Sequence, residues 1–371
     1  MADTAETFDI AVIGAGVMGA TTALHLARGG MTCVLVDRRG VCSEASGVNA
    51  GTLTMQMTRS ALIPYALAGW RMWTSVGEWL GSDPGVVPTD GLSLAFTDDE
   101  AALLERRAEA RRAYGVRIDM ISPARAREIE PGLSGAVKAA THCSIDGYVT
   151  ANRTGLAYRL ALADAGVVFR ENTAIRGIGR DEGGFALMTD GVADRARRIV
   201  LAGGAWLEEM LGWLGVHIPI QSLNNQLSVT ERLRPVMRTV LGIANGLLSL
   251  KQFGNGTVVI GGGWQGWGNR ETRETRILPE NLIGNLRLAR HAIPALSDTR
   301  IVRAWVGFEA ETADAMPIIG EVPGVADAYV IGSVHSGYTS GPYMGKLLAQ
   351  RILGSEPEMP LFAPSRLLAG A

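Results

Sequence analysis

The sequence predicts an α/β chain, a Rossmann-like nucleotide-binding domain carrying a second, inserted α+β domain built on a mixed sheet. Three observations predict it. The chain opens with Asp9-Ile-Ala-Val-Ile-Gly14-Ala-Gly16-Val-Met-Gly19, followed by Cys33-Val-Leu-Val-Asp37. That run reads as strand, glycine turn, helix, second strand and an acid at its tip. Helical and strand segments alternate early, a strand-rich middle interrupts them, and the alternation resumes near the end. At 371 residues and 47% hydrophobic content, the chain exceeds one core and can fill two.

The opening unit occupies residues 8–37. Its helix is expected from about Gly16 to Arg28, where Gly29-Gly30 stops it. A capping box, Thr97-Asp-Asp-Glu100, starts an arginine- and alanine-rich helix that closes at Gly115. Ser122-Pro123 starts a short helix with proline in its first turn. Leu156 to Ala163 continues a helical pattern, and Val167 to Arg170 follows as a strand. Arg198 to Trp206 reads as a buried strand running into Gly203-Gly204. His217 to Leu250 looks β-rich, Thr257 to Gly263 is a further strand, Pro279 to His291 a helix, and Thr299 to Phe308 a strand. The last helix is expected from Pro342 to Ile352, capped by Thr339 or Ser340, with a loose tail after Gly354. These elements divide the chain into a nucleotide-binding domain (1–80, 141–215 and 300–371) and a substrate domain (81–140 and 216–299).

Composition removes several classes of function. A net charge of −2 supplies no basic face for nucleic acid. The three cysteines, Cys33, Cys42 and Cys143, form no CxxC pair, so neither an iron–sulfur cluster nor a metal site is expected. The residues before Phe8 have neither a basic nor an apolar segment, and no run of about eighteen apolar residues occurs. A soluble, cytoplasmic enzyme acting on a small molecule is the expectation, with no membrane span.

The opening motif has a physical logic. Gly14 permits the turn, Gly16 lets the backbone approach a pyrophosphate, and Gly19 lets helix and strand pack closely. The helix N-terminus offers N–H groups and partial positive charge to phosphates. Asp37 can accept hydrogen bonds from a ribose diol. A nicotinamide enzyme and a flavoenzyme share all of this. The loop Ser43-Glu-Ala-Ser46-Gly47-Val-Asn49-Ala-Gly51 is dense in small residues, as suits a backbone lying over a ring system, though a surface turn could look the same.

Further motifs decide between them. They are Ser46-Gly-Val-Asn49-Ala-Gly51, Asp146-Gly-Tyr-Val, Val200-Leu-Ala-Gly203-Gly-Ala-Trp206, Asn225-Gln226-Leu, Trp305-Val-Gly307 continuing to Asp314-Ala-Met-Pro317-Ile-Ile-Gly320, and His335-Ser-Gly337-Tyr-Thr-Ser-Gly341-Pro. With the opening unit, they make the chain resemble, over nearly its whole length, the D-amino-acid oxidase superfamily of FAD-dependent amine oxidoreductases. That superfamily includes glycine oxidase, the sarcosine oxidases and β-subunits of amino-acid dehydrogenases. The resemblance implies FAD with Gly14, Gly16 and Gly19 at its pyrophosphate and Asp37 at the ribose. Ser46, Asn49 and Gly51 would line the isoalloxazine or ribityl chain, and Gly203 and Gly204 would end a strand beside it. Gly337, Ser340 and Gly341 would meet the pyrimidine edge, where a helix N-terminus favours the negative charge of a reduced flavin. The implied activity is oxidation of a C–N bond of an amino acid or secondary amine, with hydride passing to flavin N5 and the imine then hydrolysed. Such chemistry needs positioning more than a strong side-chain base.

The departures are equally informative. Many members place a carboxylate-clamping arginine just after the Trp-x-Gly-x segment, where this chain has Glu309. Glu309 or Glu311 could meet a cationic substrate group, as in an arginine-derived opine, or could be solvated or paired with Arg303. His335, Tyr338 and Gln56 are candidates to reach the substrate; Met55 reads as core. Lys251 is a candidate polar group with solvent exposure the plainer account, and Trp264 and Trp267 could form an aromatic wall or pack under a loop. No cysteine follows Cys143, so FAD is expected to be non-covalent. The missing arginine makes the chain look like β-subunits of opine or hydroxyproline dehydrogenases, with other redox subunits as expected partners. An NAD-dependent dehydrogenase and a subunit that holds FAD without catalysis stand as alternatives.

Overall fold

The computed structural model describes residues 7–190, 194–334 and 337–368. The opening motif folds as strand Thr7–Ile13, helix Val17–Arg28 and strand Cys33–Val36. Gly14 lies at φ +111°, and a Cβ there would stand 2.3 Å from the Ala202 carbonyl oxygen. A Cβ on Gly19 would stand 2.0 Å from the Gly14 carbonyl oxygen. Neither position has room for a side chain, which is why the turn and helix close so tightly on the strands.

Thr7–Ile13 pairs in parallel with Cys33–Val36 on one side and Arg195–Leu201 on the other. Ala328–Gly332 extends the sheet in parallel beside Arg195–Leu201, Val168–Arg170 does so beside Cys33–Val36, and Ile318–Glu321 adds an antiparallel edge. The run of Val, Ile and Leu in these strands fits a sheet covered on both faces. On one face lie helices Val17–Arg28, Ile63–Thr74, Ala151–Asp164 and Gly337–Ile352, with Ile10, Val12, Leu24 and Leu348 in their core. On the other face Ala11, Ile13 and Ile199 meet Leu207 and Leu211, together with Phe308 and Ala310 from the second sheet.

The second sheet runs Ile301–Glu311, Gln221–Arg232, Thr257–Gly261, Ser249–Gln252, Val240–Ile243, Val87–Ala95, Ala139–Tyr148 and Thr52–Leu53. It is antiparallel except between Val240–Ile243 and Val87–Ala95, a mixed sheet as expected. Helix Pro279–Ala292 packs on it through Ala289 and Ala292, and helix Asp98–Arg112 through Leu104 and Ala108. The latter begins with the complete Thr97–Glu100 capping box. Strands Ala139–Tyr148 and Ile301–Glu311 belong to this sheet, although the sequence division assigned residues 141–148 and 301–311 to the nucleotide-binding domain. Their long registers, Gly91 with Cys143 and Asn225 with Gly307, are non-local pairings that composition does not reveal.

Two expectations are corrected. The last helix spans Gly337–Ile352, so Thr339 and Ser340 lie inside it and cap nothing. Pro342 within a helix leaves the Tyr338 carbonyl without its usual N–H partner, and Trp73 Nε1–H donates to that oxygen at 2.9 Å instead. Residues 355–368 of the tail after Gly354 are not loose. Tyr65 donates to the Pro360 carbonyl at 2.7 Å, and the Arg366 guanidinium binds Asp314 at 2.8 Å, holding that carboxyl down at about 2.

Candidate active site

A cavity of about 810 Å³ is bounded by both sheets. From the nucleotide-binding part come Gly16, Gly19, Ser46, Asn49, Gly204 and Gly337; from the other come Gln56, Arg111, Asn225, Ser249 and Glu309. The first turn and the start of the closing helix therefore share one cavity.

The nucleotide end is built from backbone and small residues. Gly16 precedes helix Val17–Arg28 and offers no capping side chain, and Val17 N–H donates to Ser46 Oγ at 3.0 Å. Asn49 donates to the Ala45 and Ser46 carbonyls, closing the short helix Ala45–Val48, and accepts from Gly51 N–H. Asp37 accepts from Ala15 and Arg39 N–H, both at 2.8 Å, and so braces the turn from outside the cavity wall. Burial raises its pKa against those two bonds. Ser333, in the wall at φ +57°, has a buried hydroxyl with no partner among the described residues. Close glycines, a helix N-terminus in the cavity wall and an orphan hydroxyl fit a dinucleotide.

Other residues of the predicted cofactor set stand behind the cavity wall. Gly51 abuts the Val149 carbonyl, Gly203 abuts Met210, and Gly341 packs against Val17 and Met18 of the opening helix. Ser340 is buried beside Gly69 of helix Ile63–Thr74. None of these four lines the cavity. Tyr338 does, but its hydroxyl pairs with Thr154 at 2.6 Å and its ring stacks on Trp73. Burial pushes the phenol well up, so it stays protonated. His335 lies outside the described residues.

At the substrate end, Gln56 accepts from Thr141 Oγ1 at 2.6 Å. Behind it sits Asp146, 1% exposed, accepting from Met55 N–H at 2.7 Å and Thr54 Oγ1 at 2.8 Å. Burial pushes its pKa up to about 6. A Cβ on Gly91 would stand 2.0 Å from Asp146 Oδ2, so this carboxylate fills the space a side chain there would need. Asp146 orders the Thr54–Gln56 segment. Its motif was visible in the sequence, its role was not.

Glu309 lines the cavity and accepts from Asn225 Nδ2; Asn225 Oδ1 in turn accepts from Gln265 at 2.7 Å. Glu311, outside the wall, pairs with Arg59 and not with Arg303. Lys251 is fully buried, contrary to the exposure expected of it. Its ammonium donates to the Ala50 carbonyl at 2.9 Å and to Thr52 Oγ1, and burial lowers its pKa to about 7. Met55 is core. Trp264 packs on Gly284 and Trp267 stacks with Arg276, so neither forms a cavity wall.

The family described as FAD dependent oxidoreductase (DAO) matches residues 9–351. The chain belongs to that family. It is 29% identical to an opine oxidase subunit of Agrobacterium tumefaciens, over 97% of this chain and 98% of the relative. It is 27% identical to glycine oxidase of Geobacillus kaustophilus, over 93% of each. The crystal structure of the Geobacillus enzyme superposes with a TM-score of 0.87 at 26% identity, covering 96% of this chain and 97% of that one. FAD is the cofactor of this flavoenzyme, an oxidoreductase acting on amino acids or amines, and the nicotinamide alternative falls. No helix among its described residues is long and apolar enough to cross a membrane.

Proposed function

We propose that the flavoenzyme oxidises the C–N bond of a secondary amine bearing a cationic group, an opine-like compound, to an imine that water hydrolyses. FAD, when bound, supplies the two-electron acceptor; Gly16, Gly19, Ser46, Asn49 and Gly204 would hold it, with Asp37 at the ribose. The chain's own contribution is to orient the amine. The observation that carries the reading is Glu309, a carboxylate in the cavity wall oriented by Asn225 and Gln265. A carboxylate there suits a guanidinium or ammonium and repels a second carboxylate. Tyr338, with its hydroxyl committed to Thr154, acts as a rigid wall. Gln56 offers an amide to a substrate, and His335 follows the same wall in sequence. The similarity to chains named as subunits of opine and sarcosine oxidases supports a hetero-oligomer in which partner subunits take the electrons.

The test is anaerobic flavin bleaching with opines, D-amino acids, N-alkyl glycines and prolines. Opines should bleach the flavin at the lowest concentration, and Glu309→Gln should raise the KM for basic substrates about tenfold or more while sparing neutral ones. Unchanged kinetics of Glu309→Gln on basic substrates would remove the reading. Fast oxygen consumption by a strict monomer would count against the partner subunits.

A further inference from the structure

The arginine-rich helix Asp98–Arg112 has one side in the cavity wall, through Arg106, Arg107 and Arg111 among others. Nothing in the oxidation chemistry described so far uses it. Arg107 and Arg111 stand one turn apart, on a common helix face. Each is anchored by one edge to a backbone carbonyl. Arg107 Nη1 donates to Ala244 at 2.6 Å, and Arg111 Nε donates to Thr58 at 2.9 Å.

A guanidinium has five N–H donors in a fixed fork. One anchored edge fixes the plane and leaves further donors for something else. Among the described residues, no carboxylate forms an ion pair with either arginine. Like charges one helical turn apart with no ion-pair partner cost a few tenths of a kcal/mol. Burial and the neighbouring Arg107 charge lower the Arg111 pKa to about 10, against the pull of Asp146. Thr141, Ser93 and Gln56 complete a polar surround in the same wall.

We infer that Arg107 and Arg111 form an anion subsite that takes a carboxylate of the substrate. The substrate is thus a zwitterion with its cationic group at Glu309 and a carboxylate at the arginine helix. This rests on the reading of the cavity as an amine-oxidising site and adds the second recognition point to it. It also explains how the chain dispenses with an arginine at position 309, since the carboxylate is met from a different element.

The probe is succinate, which has carboxylates and no oxidisable amine, with succinamide as its neutral counterpart. FAD-loaded protein is titrated with each, followed by perturbation of the flavin absorbance and by calorimetry. Succinate should bind in the millimolar range and succinamide at least tenfold more weakly. Arg107→Gln and Arg111→Gln should each weaken succinate tenfold or more, and Arg111→Lys should weaken it less. Arg117→Gln, which removes a charge that is 86% exposed and outside the cavity wall, should leave binding unchanged. Equal losses in the Arg107, Arg111 and Arg117 variants, or equal affinity for succinate and succinamide, would overturn the subsite. Since succinate is not oxidised, that result is independent of whether any amine bleaches the flavin.

Discussion

At the scale of single residues, the site is held by buried polar groups that act through others. Lys251 crosses from the second sheet to the Ala50 carbonyl and Thr52 hydroxyl, ordering the loop that edges the cavity. Its pKa falls from 10.5 to about 7 on folding because burial disfavours the ammonium. Between those values the unfolded chain holds a proton that the native state lacks. This group's contribution to stability therefore rises with pH across that window and is flat below it. The stability difference between wild type and Lys251→Met, read from urea midpoints at pH 7 and pH 9.5, should shift toward wild type at the higher pH. A difference independent of pH would show that the ammonium is not buried. Asp146 has the same character on the acid side, a carboxyl kept up near 6 by burial yet bonded to Thr54 and Met55. The sequence singled out the Asp146 motif and named Lys251 as a candidate polar group, but the burial of either is decided by what packs above its strand.

At the scale of elements, the closing helix shows how a local rule is overridden. Proline favours a helix's first turn, which placed the expected start at Pro342. The helix instead runs from Gly337 through Pro342, and Trp73, from helix Ile63–Thr74, supplies the hydrogen bond that the proline withholds. Trp73→Phe should strand the Tyr338 carbonyl and cost about 1–3 kcal/mol, apart from the loss of ring packing. Trp73→Phe combined with Pro342→Ala, which restores a backbone N–H, should recover part of that loss in a double-mutant cycle of urea midpoints. Strict additivity would contradict the compensation. The capping-box helix shows the opposite case. Thr97 and Glu100 are three residues apart, so their contact is local and the helix began where the motif said.

At the scale of the whole molecule, two sheets face a common cavity, one supplying turns for a nucleotide and the other polar side chains for a substrate. Cys33, Cys42 and Cys143 are buried, and burial raises all three thiols, which leaves them protonated and unreactive. Acid precipitation should therefore release yellow flavin into the supernatant; colour retained in the pellet would mean a covalent link. Because FAD binds the native fold, saturation at a hundredfold excess over Kd should add about 2.7 kcal/mol to stability, seen as a rise in Tm over the apoprotein.

The sequence by itself determined the opening strand–turn–helix–strand unit, the capped helices and the family's cofactor. Those signals are carried by neighbours within a few residues, where backbone geometry and periodicity act directly. Only the tertiary structure decided that Asp146 reaches Thr54 and Met55, that Lys251 is buried, that Gly341 packs on a helix, and that Arg107 and Arg111 share a wall with Glu309. Each of these depends on strand registers and helix docking between distant segments. Such pairings are chosen by the summed burial of whole faces, which no short stretch of sequence contains.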